Sequence, residues 1–175
     1  SIYPQGDDRQ HNYLSRPKIG LDIDGVLADF NNHYRNFYSI NTIPTSWHFD
    51  LDMATRMNDL KDNQKFWSSI PVLTQPKDIP FEPFCYITSR SIPNEWTEQW
   101  LLQNGFPLAP VFSVGFEKSK LQVIKDLNID IFVDDRFENF VEINNAGICC
   151  YLFDQSHNQR YNVEAKRIYD FSRFG

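Results

Sequence analysis

A chain of 175 residues, with 17 basic and 23 acidic side chains and a formal net charge of −6, is long enough for one core of ordinary size plus a small insertion. That acidity argues against a broad electrostatic grip on long DNA or RNA, while a single nucleotide, which needs only a few local positive groups, remains open. Cys85, Cys149 and Cys150 are odd in number and lack zinc-ligand spacing, so a disulfide framework or zinc site is not expected and the chain reads as reduced and cytoplasmic. No apolar run approaches the length that spans a membrane.

Residues 1–17 have no apolar signal-peptide core and read as a flexible extension. A first strand is expected over 18–21, between Pro17 and the turn at 22–25. Apolar groups at Phe30, Tyr34, Phe37 and Tyr38 repeat with the period of an amphipathic helix within 28–40. Residues 41–50 are turn-rich, 51–70 read as one or two short helices, and 71–83, with four prolines, as an irregular connection. A second strand over 84–87 stops at Thr88, Ser89 and Arg90. Pro93, Trp96, Trp100, Leu101 and the stop at Gly105 mark a helix over 93–106. Then come a strand over 111–114, a helix over 119–128 with Ser119 as its N-cap, and strands over 129–133 and 148–153. The stretch 162–171 reads as a final helix.

Strands separated by helical stretches imply an α/β fold, a Rossmann-like parallel sheet with helices on both faces. Ligands in such sheets sit at the carboxyl ends of the strands. Three of these ends carry reactive groups: Asp22 and Asp24, Thr88 and Ser89, Asp134 and Asp135. Gathered at one edge, the four carboxylates cannot all stay ionised unless something neutralises them. Mg²⁺, a hard cation with oxygen ligands, does so and leaves room for a substrate phosphate. A carboxylate can then attack phosphorus while a second protonates the leaving oxygen, with hydroxyls and a lysine on the non-bridging oxygens.

The segments "DIDGVLADF", "ITSR" and "EKSKLQVIKDLNIDIFVDD", in this order, resemble the four motifs of haloacid dehalogenase-like phosphatases, and the likeness spans residues 18–153. Within that superfamily "DGVLADF", Phe66–Trp67, "WLLQNGFP" and "VDDRFENF" are most similar to the 5'(3')-deoxyribonucleotidase group and related small phosphatases. The resemblance implies a core domain made of 18–30 and 81–175, with a small helical cap inserted over 31–80. It makes Asp22 the nucleophile and a metal ligand. Asp24 is the general acid/base, with its backbone carbonyl on the metal. Thr88, helped by Ser89, binds phosphate. Asp135 is the direct acidic metal ligand, with Asp134 beside it and Asn139 at the final acidic position of the pattern. Lys120 is the phosphate-binding lysine, with Lys118 the alternative.

Phe30 matches a base-contacting aromatic position of the group. Trp47, Phe49, Phe66 and Trp67 are further candidates for stacking on a base, against the ordinary fate of aromatics as cap core. Arg90 is a candidate for phosphate or ribose. His33, His48 and His157 have no partner spacing and receive no role. In one respect the chain departs from the group: "TQPKDIPFEPF" is too short and too rich in proline for the helix that usually precedes the second motif. The expected function is a Mg²⁺-dependent phosphatase for a small substrate, a nucleoside monophosphate. A sugar or metabolite phosphate, a polynucleotide 3'-phosphate and a non-catalytic phospho-ligand module are the alternatives.

Overall fold

The computed structural model describes residues 16–175, so the expected extension over 1–17 lies, apart from Arg16 and Pro17, outside the described residues. Five short apolar runs become strands: β1 Ile19–Leu21, β2 Cys85–Thr88, β3 Val111–Ser113, β4 Ile131–Asp134 and β5 Cys149–Phe153. With a sixth, β6 Arg167–Ile168, they form one sheet in the order β3-β2-β1-β4-β5-β6, and every neighbouring pair runs parallel. This is a Rossmann-like α/β fold. Alternation along the strands sends Ile19, Leu21, Tyr86 and Val133 to one face and Cys85, Ile87, Phe132 and Cys150 to the other. Both faces are covered, which is why the central strands read as continuous apolar runs.

Three helices lie between β1 and β2: α1 Phe30–Phe37, α2 Met53–Leu60 and α3 Gln64–Ser68. Three more follow: α4 Asn94–Gln103, α5 Leu121–Asp126 and α6 Phe137–Asn145. Ile124 of α5 with Phe140 and Ile143 of α6 covers the face that carries Phe132 and Cys150. Trp100 and Leu101 of α4 cover the opposite face, in one apolar cluster with Tyr34, Leu60, Phe66 and Trp67. The insertion after β1 thus shares its core with the sheet. Among the described residues no helix is long and apolar enough to cross a membrane.

Local chemistry accounts for the boundaries. Residues 71–83 stay irregular apart from a bridge between Val72 and Ala28 and a 3₁₀ turn at Pro76–Asp78, since their prolines cannot donate to a ladder. At the start of α5 the N-cap position belongs to Lys120, one residue later than expected, and Ser119 Oγ accepts from the Leu121 N–H at 3.1 Å.

The helix expected over 162–171 is not formed. A 3₁₀ turn at Glu164–Lys166 leads directly into β6. The edge of β5 would otherwise expose unpaired backbone groups, and β6 covers it with Ile168 buried. Arg167 fastens the strand by donating to Asp154 Oδ1 at 2.7 Å and to Asn158 Oδ1 at 2.7 Å. Tertiary pairing overrides the helical preference of "EAKR".

Strand order reverses beside β1, so the crevice outside the carboxyl ends of β1 and β4 is where such a sheet takes a ligand. Asp22 and Asp134 lie on either side of it.

Candidate active site

β1 delivers Asp22 to the crevice and keeps it in register, the Asp22 N–H donating to the Val133 carbonyl at 3.0 Å. Asp22 Oδ1 accepts from the Ile23 N–H and from Lys120 Nζ, both at 2.8 Å. Lys120 also donates to Asp134 Oδ2 at 2.9 Å. Asp134 is further engaged by Asn139 Nδ2 on Oδ2 at 3.1 Å and by the Arg136 N–H on Oδ1 at 2.8 Å. Asp135 meets His157 Nε2 through Oδ2 at 2.9 Å. Carboxylate oxygens of Asp22, Asp134 and Asp135 lie within 4.8 Å of one another, all three residues buried.

Gly25 makes this approach possible. Its φ of +83° is in the left-handed region, and a Cβ built there would stand 2.0 Å from Asp135 Oδ2. No residue with a side chain can occupy this turn while Asp135 keeps its place.

One ammonium faces three buried carboxylates, and the electrostatics follow. Burial pushes the Asp22 carboxyl well above its ordinary range, Asp134 adds to the rise, and Lys120 opposes it. Burial, with the charge of Asp134, likewise raises Asp135 to about 8. Burial alone would discharge Lys120, but Asp134 and Asp22 hold its ammonium above the ordinary lysine range. His157 is lowered to about 4, chiefly by burial.

Stability should respond accordingly. The folded protein keeps protons on Asp22 and Asp135 that the unfolded chain has lost, so stability falls as pH rises. His157 has the opposite slope, confined between about 4 and its ordinary 6.5. Between pH 6.5 and about 8 only the falling slope of the acids remains. Melting in EDTA is therefore expected at a lower temperature at pH 8 than at pH 6.5. A rise over that interval would mean that burial does not hold these protons.

The free oxygens show what the cluster could bind. Nitrogen donors among the described residues engage both oxygens of Asp134 but only Oδ1 of Asp22 and Oδ2 of Asp135, which leaves Asp22 Oδ2 and Asp135 Oδ1 without one. Two carboxyl oxygens without a nitrogen donor, in a cluster of three acids and one ammonium, fit a hard divalent cation that would displace their protons.

Asp24 stands apart from that trio. Both of its oxygens accept from Arg90, from Nε at 2.9 Å and Nη2 at 2.8 Å. Arg90 is 2% exposed, lies 5.0 Å from the Trp67 ring centroid, and donates its third contact to Thr97. Its fork is engaged by Asp24, and the residue also lines the cleft. Thr88 is buried at the end of β2, its Oγ1 accepting from the Arg90 N–H at 3.2 Å, while Ser89 faces the cavity. Lys120 lies in the cluster; Lys118 is exposed.

A cleft of about 750 Å³, counted with its open mouth, extends from the acids toward the insertion. Phe30, Trp47, Phe49, Met53, Met57 and Phe116 form its apolar wall, with polar groups gathered at the acid end. Phe66 and Trp67 are not part of that wall. They are buried against Phe30, at ring-centroid distances of 6.1 and 5.8 Å, and Trp67 Nε1 donates to the Leu60 carbonyl at 2.9 Å. Trp47 bridges the cleft: its indole N–H donates to Glu117 at 3.4 Å, its ring lies 4.8 Å from the Arg136 guanidinium, and its edge meets His157 at 5.1 Å.

Sequence reasoning gave no role to His157, which lines the cleft and touches Asp135. The signal was present, because the segment "DQSHN" follows β5 at the same sheet edge, a fourth strand end to which the same rule applies.

No family model matches the chain. A protein of Bacillus cereus named "Putative nucleotidase" is 26% identical to it, the alignment covering 90% of this chain and 96% of that protein. A protein of Oceanobacillus iheyensis with the same description is 34% identical over the same shares of both chains. At that identity, and over nearly the whole of both chains, the protein belongs to the same family as these two bacterial relatives.

Proposed function

We propose that the chain is a phosphomonoesterase of the haloacid dehalogenase-like type that hydrolyses nucleoside monophosphates through an aspartyl-phosphate on Asp22. The observation that carries the reading is the meeting of Asp22, Asp134, Asp135 and Lys120 at the end of an aromatic-walled cleft. The relatives' name supports the choice of nucleotides.

Asp22, Asp135 and the Asp24 carbonyl would hold Mg²⁺, which would screen the repulsion between the attacking carboxylate and the phosphate. Asp22 Oδ2, the oxygen left free by Lys120 and the Ile23 N–H, attacks phosphorus as the bond to the ester oxygen breaks. Asp24 gives that oxygen its proton. It then takes a proton from the water that attacks the acyl phosphate, releasing phosphate and restoring Asp22. Both Asp24 oxygens accept from Arg90, so Asp24 turns acid only by freeing one of them toward the substrate. Lys120, Ser89 and Thr88 steady the non-bridging oxygens. Phe30, Trp47 and Phe49 offer flat surfaces to the base at the far end of the cleft.

Phosphate release from nucleoside 5'- and 3'-monophosphates, sugar phosphates and a 3'-phosphorylated oligonucleotide, each with Mg²⁺ and with EDTA, tests the proposal. Release from nucleotides that EDTA abolishes is the expected result. Release from sugar phosphates or the oligonucleotide alone would keep the chemistry and reject the nucleotide. No release from any substrate would reject the enzyme.

A further inference from the structure

The loop 154–158, between β5 and β6, grips both turns that carry the acid cluster. Gln155 Nε2 donates to the Gly25 carbonyl at 3.0 Å. Asn158, fully buried, donates to the Asp135 carbonyl at 2.7 Å and the Phe153 carbonyl at 2.8 Å. Arg167 of β6 in turn holds the carbonyl of Asn158 at 3.0 Å. His157 projects from this braced loop, 3% exposed, and its Nε2 reaches Asp135 Oδ2 at 2.9 Å. A ring held from behind in this way fixes the rotation of the carboxylate it touches, and so decides where the other oxygen points.

We propose that His157 is a positioning residue for the cation site, holding Asp135 by Oδ2 so that the carboxylate keeps its place beside Asp22 and Asp134. The inference rests on the reading of Asp22 and Asp135 as cation ligands. Partners behind the ligands of a metal site set its affinity by removing the ligand's freedom to turn away, and losing one typically weakens binding about 10–100-fold. Simple packing would give His157 a different signature. The ring also meets the edge of Trp47, so filling space is its competing role.

Two substitutions separate these roles. His157→Phe keeps the ring volume and removes the nitrogen. His157→Gln places an amide nitrogen near the position of Nε2 with less ring packing. Mg²⁺ affinity is read by isothermal titration, with melting in EDTA as the measure of the metal-free fold. The phenylalanine variant is expected to lose about 10–100-fold in Mg²⁺ affinity, and the glutamine variant to stay within a few-fold of the parent. Where phenylalanine is not accommodated, His157→Ala takes its place. Parent-like affinity in the variant without the nitrogen overturns the proposal, as does a glutamine variant equally weak. A parent protein that binds no Mg²⁺ would bring down the cation reading itself, a failure distinct from that of His157.

Discussion

Asp22→Asn is expected to abolish turnover while raising the melting temperature of the metal-free protein. Loss of a nucleophile that forms a covalent intermediate costs on the order of 10⁴-fold or more in kcat. The stability effect has the opposite sign because the folded site disfavours the charge it needs. Asp22 is 5% exposed, burial raises its pKa, and Asp134 pushes it further. Asparagine keeps the shape, accepts from Lys120 and the Ile23 N–H as before, and presents an amide to the neighbouring acids. The gain should be on the order of 1–3 kcal/mol at pH 8 and smaller at low pH, where Asp22 is already protonated. Phosphate release and thermal melting on the same preparation check both halves. Persistent turnover would refute the aspartyl-phosphate route, and lost turnover with a lower melting temperature would point to a damaged fold.

Lys120→Met removes the only ammonium among the described residues that bonds to the acids. Lys120 is 2% exposed and bonds to Asp22 and Asp134 at once, so both lose their charged partner and keep only neutral donors. Breaking a buried ion pair from one side costs about 3–5 kcal/mol. Burial already raises the Asp22 carboxyl, and without the lysine it takes up a proton more readily still, a relief greater at pH 5 than at pH 8. Urea unfolding should therefore show the larger loss at pH 8 and a clearly smaller one at pH 5, with no phosphatase activity at either. Equal losses at the two pH values would mean that the lysine acts through packing rather than charge.

The strand ends were the legible part of this site. Asp22, Thr88 and Asp134 each follow an apolar run, and a parallel sheet has no choice but to bring such ends to one edge. Which side of a strand end a residue faces was harder to see. Asp134 and Asp135 are adjacent in sequence, yet one is tied to Lys120, Asn139 and the Arg136 N–H while the other keeps an oxygen free of nitrogen donors. Aromatic residues gave the least guidance. Phe30, Phe66 and Trp67 differ in whether a face reaches the cleft, which depends on how α1 and α3 lean together and not on any local pattern. The same limit hid the partner of Arg90: an arginine after Thr88 and Ser89 at a strand end invites a phosphate on paper, and only the fold places Asp24 in front of it. The last strand, β6, was misread because its reason to be extended lies in β5 and Asp154, outside its own residues.

The central place of β1 also governs when the site comes into being. Its neighbours are strands that begin at Cys85 and Ile131, and Lys120 is 98 residues beyond Asp22. Contacts this distant in sequence close slowly, after the local helices and turns have formed. The acids therefore meet only when β4 docks beside β1. Their mutual repulsion is a load on that docking, and on no helix or turn that forms without it.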